Sequence, residues 1–82
     1  MTVAEYCKKR QRSDTTLKLI SRLRLYTNDD DYILGVLAES SFDEDRQLII
    51  DFIEQGENVS YETIILFSLE IGLQRDKYLV NE

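Results

Sequence analysis

Sixteen carboxylates, five tyrosines, one cysteine and no histidine set what this 82-residue chain can do chemically. Without histidine there is no side chain that titrates unaided near neutral pH, and with one cysteine and no histidine zinc ligation within a single chain is close to excluded. Cys7 lies on the apolar side of a basic stretch, Lys8-Lys9-Arg10. A reactive thiol needs an exposed site and a basic partner, so Cys7 reads as a small packing residue. The carboxylates deserve a test as a calcium loop. Asp43, Asp45, Asp51 and Glu54 occupy positions 1, 3, 9 and 12 of such a loop, but position 6 is Leu48 where the sharp turn needs glycine. An ordinary helix with an acidic first turn accounts for the same residues, and Asp29-Asp30-Asp31 has no later ligand at loop spacing. No Gly-rich phosphate loop occurs, and no spacing singles out a carboxylate pair for acid–base work. The expectation is a non-enzymatic protein with no metal, no cofactor and no small-molecule substrate.

The cations are more informative than the anions. Residues 1–26 hold Lys8, Lys9, Arg10, Arg12, Lys18, Arg22 and Arg24 against Glu5 and Asp14, a net of +5, whereas residues 27–82 carry −11. If the chain binds nucleic acid, those seven cations are the candidate contact, since no other segment can release phosphate counterions. The alternative is internal neutralisation of the acidic body, its own or a partner's.

Those residues must be carried by helices. The chain has no proline and three glycines, so long helices with short joins are expected. Thr2-Val3-Ala4-Glu5 has capping-box spacing and opens a helix from Val3 to Gln11. Ser13-Asp14 starts a second, Thr15 to Tyr26, with Leu19, Leu23 and Tyr26 on its apolar stripe, Leu17 and Ile20 widening it, and Lys18, Arg22 and Leu25 on another face. Thr27-Asn28 caps a third helix, with Asp29, Asp30 and Asp31 at the positive end of its dipole and Tyr32, Ile33, Val36 and Leu37 facing inward. Ser41-Phe42-Asp43-Glu44 reads as a capping box opening a fourth helix to Gln55, with Ile49, Phe52 and Ile53 inward and Gly56 as its left-handed stop. Ser60 caps a fifth, Tyr61 to Ile71, with Val59 and Ile64 as a hydrophobic staple; Gly72 then ends it, leaving a short turn over Asp76 to Val80 on which Tyr78 and Leu79 fold back. The whole is one all-α domain, 1–82, a compact bundle of five or six short helices.

The fifth helix is apolar on nearly all sides through Ile64-Ile65-Leu66-Phe67-Ser68-Leu69. In a small protein such a helix is central to the core or pressed against another subunit. A homodimer is expected, with Ile65, Leu66 and Leu69 as its contacts and Phe67 as a core alternative. A protein partner is expected as well. No apolar run reaches membrane-spanning length, the first ten residues lack a signal-peptide block, and a lone cysteine fits a reducing compartment, so the expected location is the cytoplasm.

Ile53-Glu54-Gln55-Gly56, Ser60, Ser68, Ile71-Gly72 and Leu79 resemble the C-terminal half of Xre/Cro-type helix-turn-helix repressor domains. There an aliphatic or aromatic residue plus Glu-x-Gly ends the recognition helix, and a Ser-capped helix with a small residue and an aliphatic-Gly end follows. The likeness covers residues 53–79, about a third of the chain. Leu37-Ala38 is similar to the Leu-Ala of the family's second helix, at a slightly longer interval from Glu54. The resemblance implies a degenerate helix-turn-helix-like arrangement and a transcriptional, plasmid or phage setting. It also exposes a departure: the helix that would enter the major groove carries Asp43, Glu44, Asp45, Asp51 and Glu54 against Arg46 and Gln47. Five carboxylates oppose a phosphate backbone.

Overall fold

A computed structural model describes residues 1–9 and 13–80, with residues 77–80 as backbone only. Five helices follow one another without strands among the described residues: α1 (Val3–Lys9), α2 (Asp14–Leu23), α3 (Asp30–Glu39), α4 (Asp43–Gln55) and α5 (Tyr61–Val80). The all-α expectation holds, with five helices rather than six.

Local chemistry accounts for most boundaries. Thr2 and Glu5 close the expected capping box: the Glu5 amide donates to Thr2 Oγ1 and the Thr2 amide to Glu5 Oε1, both at 3.1 Å. Any extension of α1 to Gln11 lies outside the described residues. Ser13 caps α2 by accepting from the Thr16 amide. Gly56 ends α4 at φ +78°, a conformation that costs a residue with a Cβ about 1 kcal/mol or more. Ser60 and Thr63 form a reciprocal cap at the start of α5, each side chain accepting from the other's amide.

Two caps differ from the sequence reading. Asp29, not Thr27-Asn28, caps α3 by accepting from the Asp31 amide, while Thr27 Oγ1 accepts from the Asp29 amide in the preceding turn. No Ser41–Glu44 box forms at α4: its cap residue is Phe42, without a side-chain hydrogen bond, and Ser41 Oγ donates back to the Ala38 carbonyl. The α3–α4 join is too short to free Ser41 from the end of α3. α2 also ends three residues early, in hydrogen-bonded turns through Thr27, and this leaves Tyr26 exposed rather than in the apolar stripe; Leu17 is exposed too.

The core is built from Leu19 and Leu23 of α2, Ile33, Val36 and Leu37 of α3, Ile49, Ile50 and Ile53 of α4, and Ile64 and Ile71 of α5. α2 lies along α4, α5 packs between α3 and α4, and α1 rests on α3. α1 is moored there by the Val3 amide donating to Asp30 Oδ2 at 3.0 Å. That bond, and the Arg24 guanidinium, hold the Asp30 carboxyl below its ordinary pKa.

Gly72 does not stop α5, and the separate turn over Asp76–Val80 is instead the end of that helix. A Cβ there would fall 1.9 Å from Oε2 of Glu39, the far end of a flexible side chain that would have to move aside, so α5 passes close to the Glu39 side chain at this point. The last turns are then held by Arg75. Its Nε and Nη2 donate to the two oxygens of Asp45 at 2.9 and 3.2 Å, and its guanidinium sits 4.5 Å from the Phe42 ring centre. The expected folding back of the Tyr78 and Leu79 side chains lies outside the described residues.

The start of α5 is fixed to α3 by two tyrosines. The Tyr32 and Tyr61 rings stack with centroids 4.0 Å apart, and the Tyr32 hydroxyl donates to the Tyr61 carbonyl. Desolvation, then the neighbouring Tyr61 phenol, raises the Tyr32 pKa from 10.0 to about 12. The folded state therefore retains this proton where the unfolded chain has lost it. The corresponding stability is complete below pH 10 and declines as pH rises from 10 towards about 12. Thermal melts across this range should show a steeper alkaline fall for the wild type than for Tyr32→Phe. Equal slopes would remove Tyr32 as the cause.

Candidate functional site

Two surfaces follow from the sequence reading, the N-terminal cations and the apolar face of α5. Of the first, three described cations are already paired with carboxylates. Lys18 Nζ and Arg22 Nη2 both approach Glu54, at 3.5 and 3.9 Å, across the α2–α4 contact. Arg24 pairs with Asp30 at 2.8 Å and donates to the Asn28 carbonyl at 3.2 Å. These pairs are partly exposed, so each is worth about 1 kcal/mol or less, but each places a carboxylate beside a cation that phosphates would need. Lys8 and Lys9 are exposed at the end of α1, and Arg10 and Arg12 lie outside the described residues.

Arg46 is the cation whose position the sequence reading missed. It is 7% exposed, and all three guanidinium nitrogens donate inward. Nε reaches the Ser40 carbonyl, Nη1 the Thr16 hydroxyl, and Nη2 the Leu37 carbonyl and the Tyr6 hydroxyl, at 2.5, 2.6, 3.1 and 3.2 Å respectively. Two of these acceptors are carbonyls at the C-terminal end of α3, where the helix dipole is negative. Arg46 thus caps α3 from α4 and ties in α1 and α2. It borders a groove of about 790 Å³ lined by Met1, Tyr6, Leu34, Leu37, Ala38 and Ser41. With Arg46 turned inward, the exposed face of α4 carries Asp43, Glu44, Gln47, Leu48, Asp51, Glu54 and Gln55.

α5 divides cleanly into two faces. Ile64, Ser68 and Ile71 point into the core, with Ser68 Oγ donating to the Ile65 carbonyl. α3 covers one flank through Tyr61 and Gly72. α4 covers the other, through the Phe52–Phe67 stack at 4.7 Å and the Arg75–Asp45 pair. On the remaining side Leu66, Leu69 and Leu73 are 63, 41 and 68% exposed. At 3.6 residues per turn these three fall within about 60° of one another. Ile65 is half-buried and packs on the core, and Phe67 belongs to the α4 stack. Leu73 was hidden in the sequence by reading Gly72 as a stop; the spacing 66, 69, 73 continues one heptad stripe and was the available signal.

No family model matches the chain, and neither does any curated protein or solved structure. Among the described residues no group of three or more acidic or cysteine side chains could hold a metal ion. No described helix is long and apolar enough to cross a membrane.

Proposed function

We propose that this chain is a small non-enzymatic regulatory protein that acts through protein contacts as a homodimer in the cytoplasm. The observation that carries this reading is the exposed leucine stripe on α5, Leu66, Leu69 and Leu73, on a helix whose opposite side already supplies the core. Grouped leucines on one open face mark a contact surface, where scattered ones would not. The likeness of residues 53–79 to Xre/Cro-type domains supports a transcriptional or mobile-element setting and a shared helix arrangement. The acidic exposed face of α4 and the inward Arg46 weigh against base reading by that helix.

The competing function, a nucleic-acid regulator gripping phosphates through Lys8, Lys9, Arg10, Arg12, Lys18, Arg22 and Arg24, is met by direct titration. Anisotropy with random duplex DNA and with single-stranded RNA should show little or no binding near about 150 mM salt, and any residual binding should fall steeply with added salt. Affinity purification from the native cell should recover protein partners whose yield drops on Leu66→Asp. Tight, sequence-selective nucleic-acid binding that survives neutralising the N-terminal cations would overturn the protein-contact reading.

A further inference from the structure

We propose that α1 is a strap that detaches from the body as a unit while α2 to α5 stay folded, and that its release opens the groove beside Arg46. This stands apart from the leucine stripe and does not depend on it. α1 has seven residues, about two turns, too few to hold a helix in water by itself. Its stability is therefore that of its seat on α3. The seat is small. Val3 is the one buried residue of α1, and Tyr6 and Cys7 are half-buried against the core. A segment with so little buried apolar surface belongs to the low end of the local stabilities within a fold.

The body is built to stay closed when α1 leaves. Among the described residues two hydrogen bonds cross between them: the Val3 amide donates to Asp30 Oδ2 at 3.0 Å, and Arg46 Nη2 donates to the Tyr6 hydroxyl at 3.2 Å. On the body's side neither group loses its last partner. Asp30 keeps Arg24 at 2.8 Å, and Arg46 keeps the Ser40 and Leu37 carbonyls and the Thr16 hydroxyl. Parting therefore strands neither of these charges, which is the event that makes separating packed elements costly. The Thr2–Glu5 capping box lies within the departing segment and travels with it. Met1 and Tyr6 line the groove together with Leu34, Leu37 and Ala38 of α3. Release takes the first two away, and it carries the exposed Lys8 and Lys9 off the body in the same step.

Native-state hydrogen exchange and thiol labelling of the full chain test this. The Val3 amide lies in the first turn, where a helix offers it no acceptor, so its protection reports the seating on Asp30. The amides of residues 6–9 report the helix, and the half-buried Cys7 thiol, labelled with an aromatic disulfide, reports its inner face. All three should return one opening constant. Its urea dependence should be far weaker than that of the α2 and α4 amides, because the opening exposes little surface. Val3→Ala should raise the constant about tenfold, by removing two buried carbons. Ile49→Val, inside the body, should quicken exchange in α2 and α4 about fivefold and leave the α1 reporters unchanged. Reporters that instead quicken in step with α2 and α4 in the Ile49 variant would show that α1 parts only on global unfolding, and would overturn the proposal. So would three separate constants, the mark of a helix fraying residue by residue. A Cys7 thiol that labels as fast as in the unfolded chain, or that ignores Val3→Ala, would equally overturn it.

Discussion

Replacing Arg46 by methionine is expected to destabilise the fold by about 3 kcal/mol, a large share of the roughly 4–12 kcal/mol available to a domain of this size. The cost does not come from a lost ion pair. Arg46 donates to the Ser40 and Leu37 carbonyls, and methionine fills much the same volume while leaving both acceptors at the buried end of α3 without that donor. The Leu37 carbonyl keeps the Ser40 amide at 3.3 Å, whereas a buried carbonyl left without a donor, as at Ser40, costs about 1–3 kcal/mol. Thr16 and Tyr6 lose the same guanidinium, so the joins of α1 and α2 to this corner loosen as well. Urea unfolding followed by far-UV circular dichroism should place the midpoint about 2 M lower. Arg46→Lys should recover less than half of the loss, since an ammonium on a flexible stem cannot serve acceptors on four sides with a planar fork. A shift under about 0.5 kcal/mol for the methionine variant would mean that other groups satisfy the end of α3.

Arg75→Ala is expected to cost about 2 kcal/mol and to release the last turns of α5. The Asp45 side chain is 8% exposed and accepts two hydrogen bonds from Arg75. Truncating the arginine leaves a nearly buried carboxylate without that partner, the costly way to break such a pair. The Arg75 side is 38% exposed, which keeps the figure below that of a fully buried pair. Hydrogen exchange should quicken over residues 72–80 while the amides of α2 and α4 stay protected. A double-mutant cycle with Asp45→Ala should return a coupling of about 1–2 kcal/mol. Unchanged exchange at the end of α5 would show that α5 holds its last turns without this anchor.

Helix existence was legible in the sequence wherever two local signals agreed. Thr2 with Glu5 gave a two-residue capping box, Ser13 with Leu19 and Leu23 and Ser60 with Ile64 combined a cap with apolar positions at helix spacing, and each opens a helix where expected. Tyr32, Ile33, Val36 and Leu37 likewise reached the core, as did Ile49 and Ile53. Gly56 was readable because Gly after the last apolar position, followed by polar Glu57 and Asn58, leaves nothing to continue the helix. Gly72 has the same local look but is followed by Leu73 and Arg75, and the contact to Asp45, thirty residues away in sequence, carries the helix onward.

Composition, caps and apolar period by themselves determined an all-α chain, most of its helix starts and most of its core, because those properties depend on neighbours within a turn or two. Charge segregation was equally plain, but its destination was not. Only the tertiary structure decided that Lys18 and Arg22 meet Glu54, that Arg24 meets Asp30, and that Arg46 turns inward to the end of α3. It also decided which side of an almost wholly apolar α5 faces outward, and so brought Leu73 into line with Leu66 and Leu69. The physical reason is common to all of these. A helix stripe states that a face is apolar, and a cation states that it needs an anion or acceptor. Which partner each receives depends on how the helices are placed, and that is settled by burying the most surface at once.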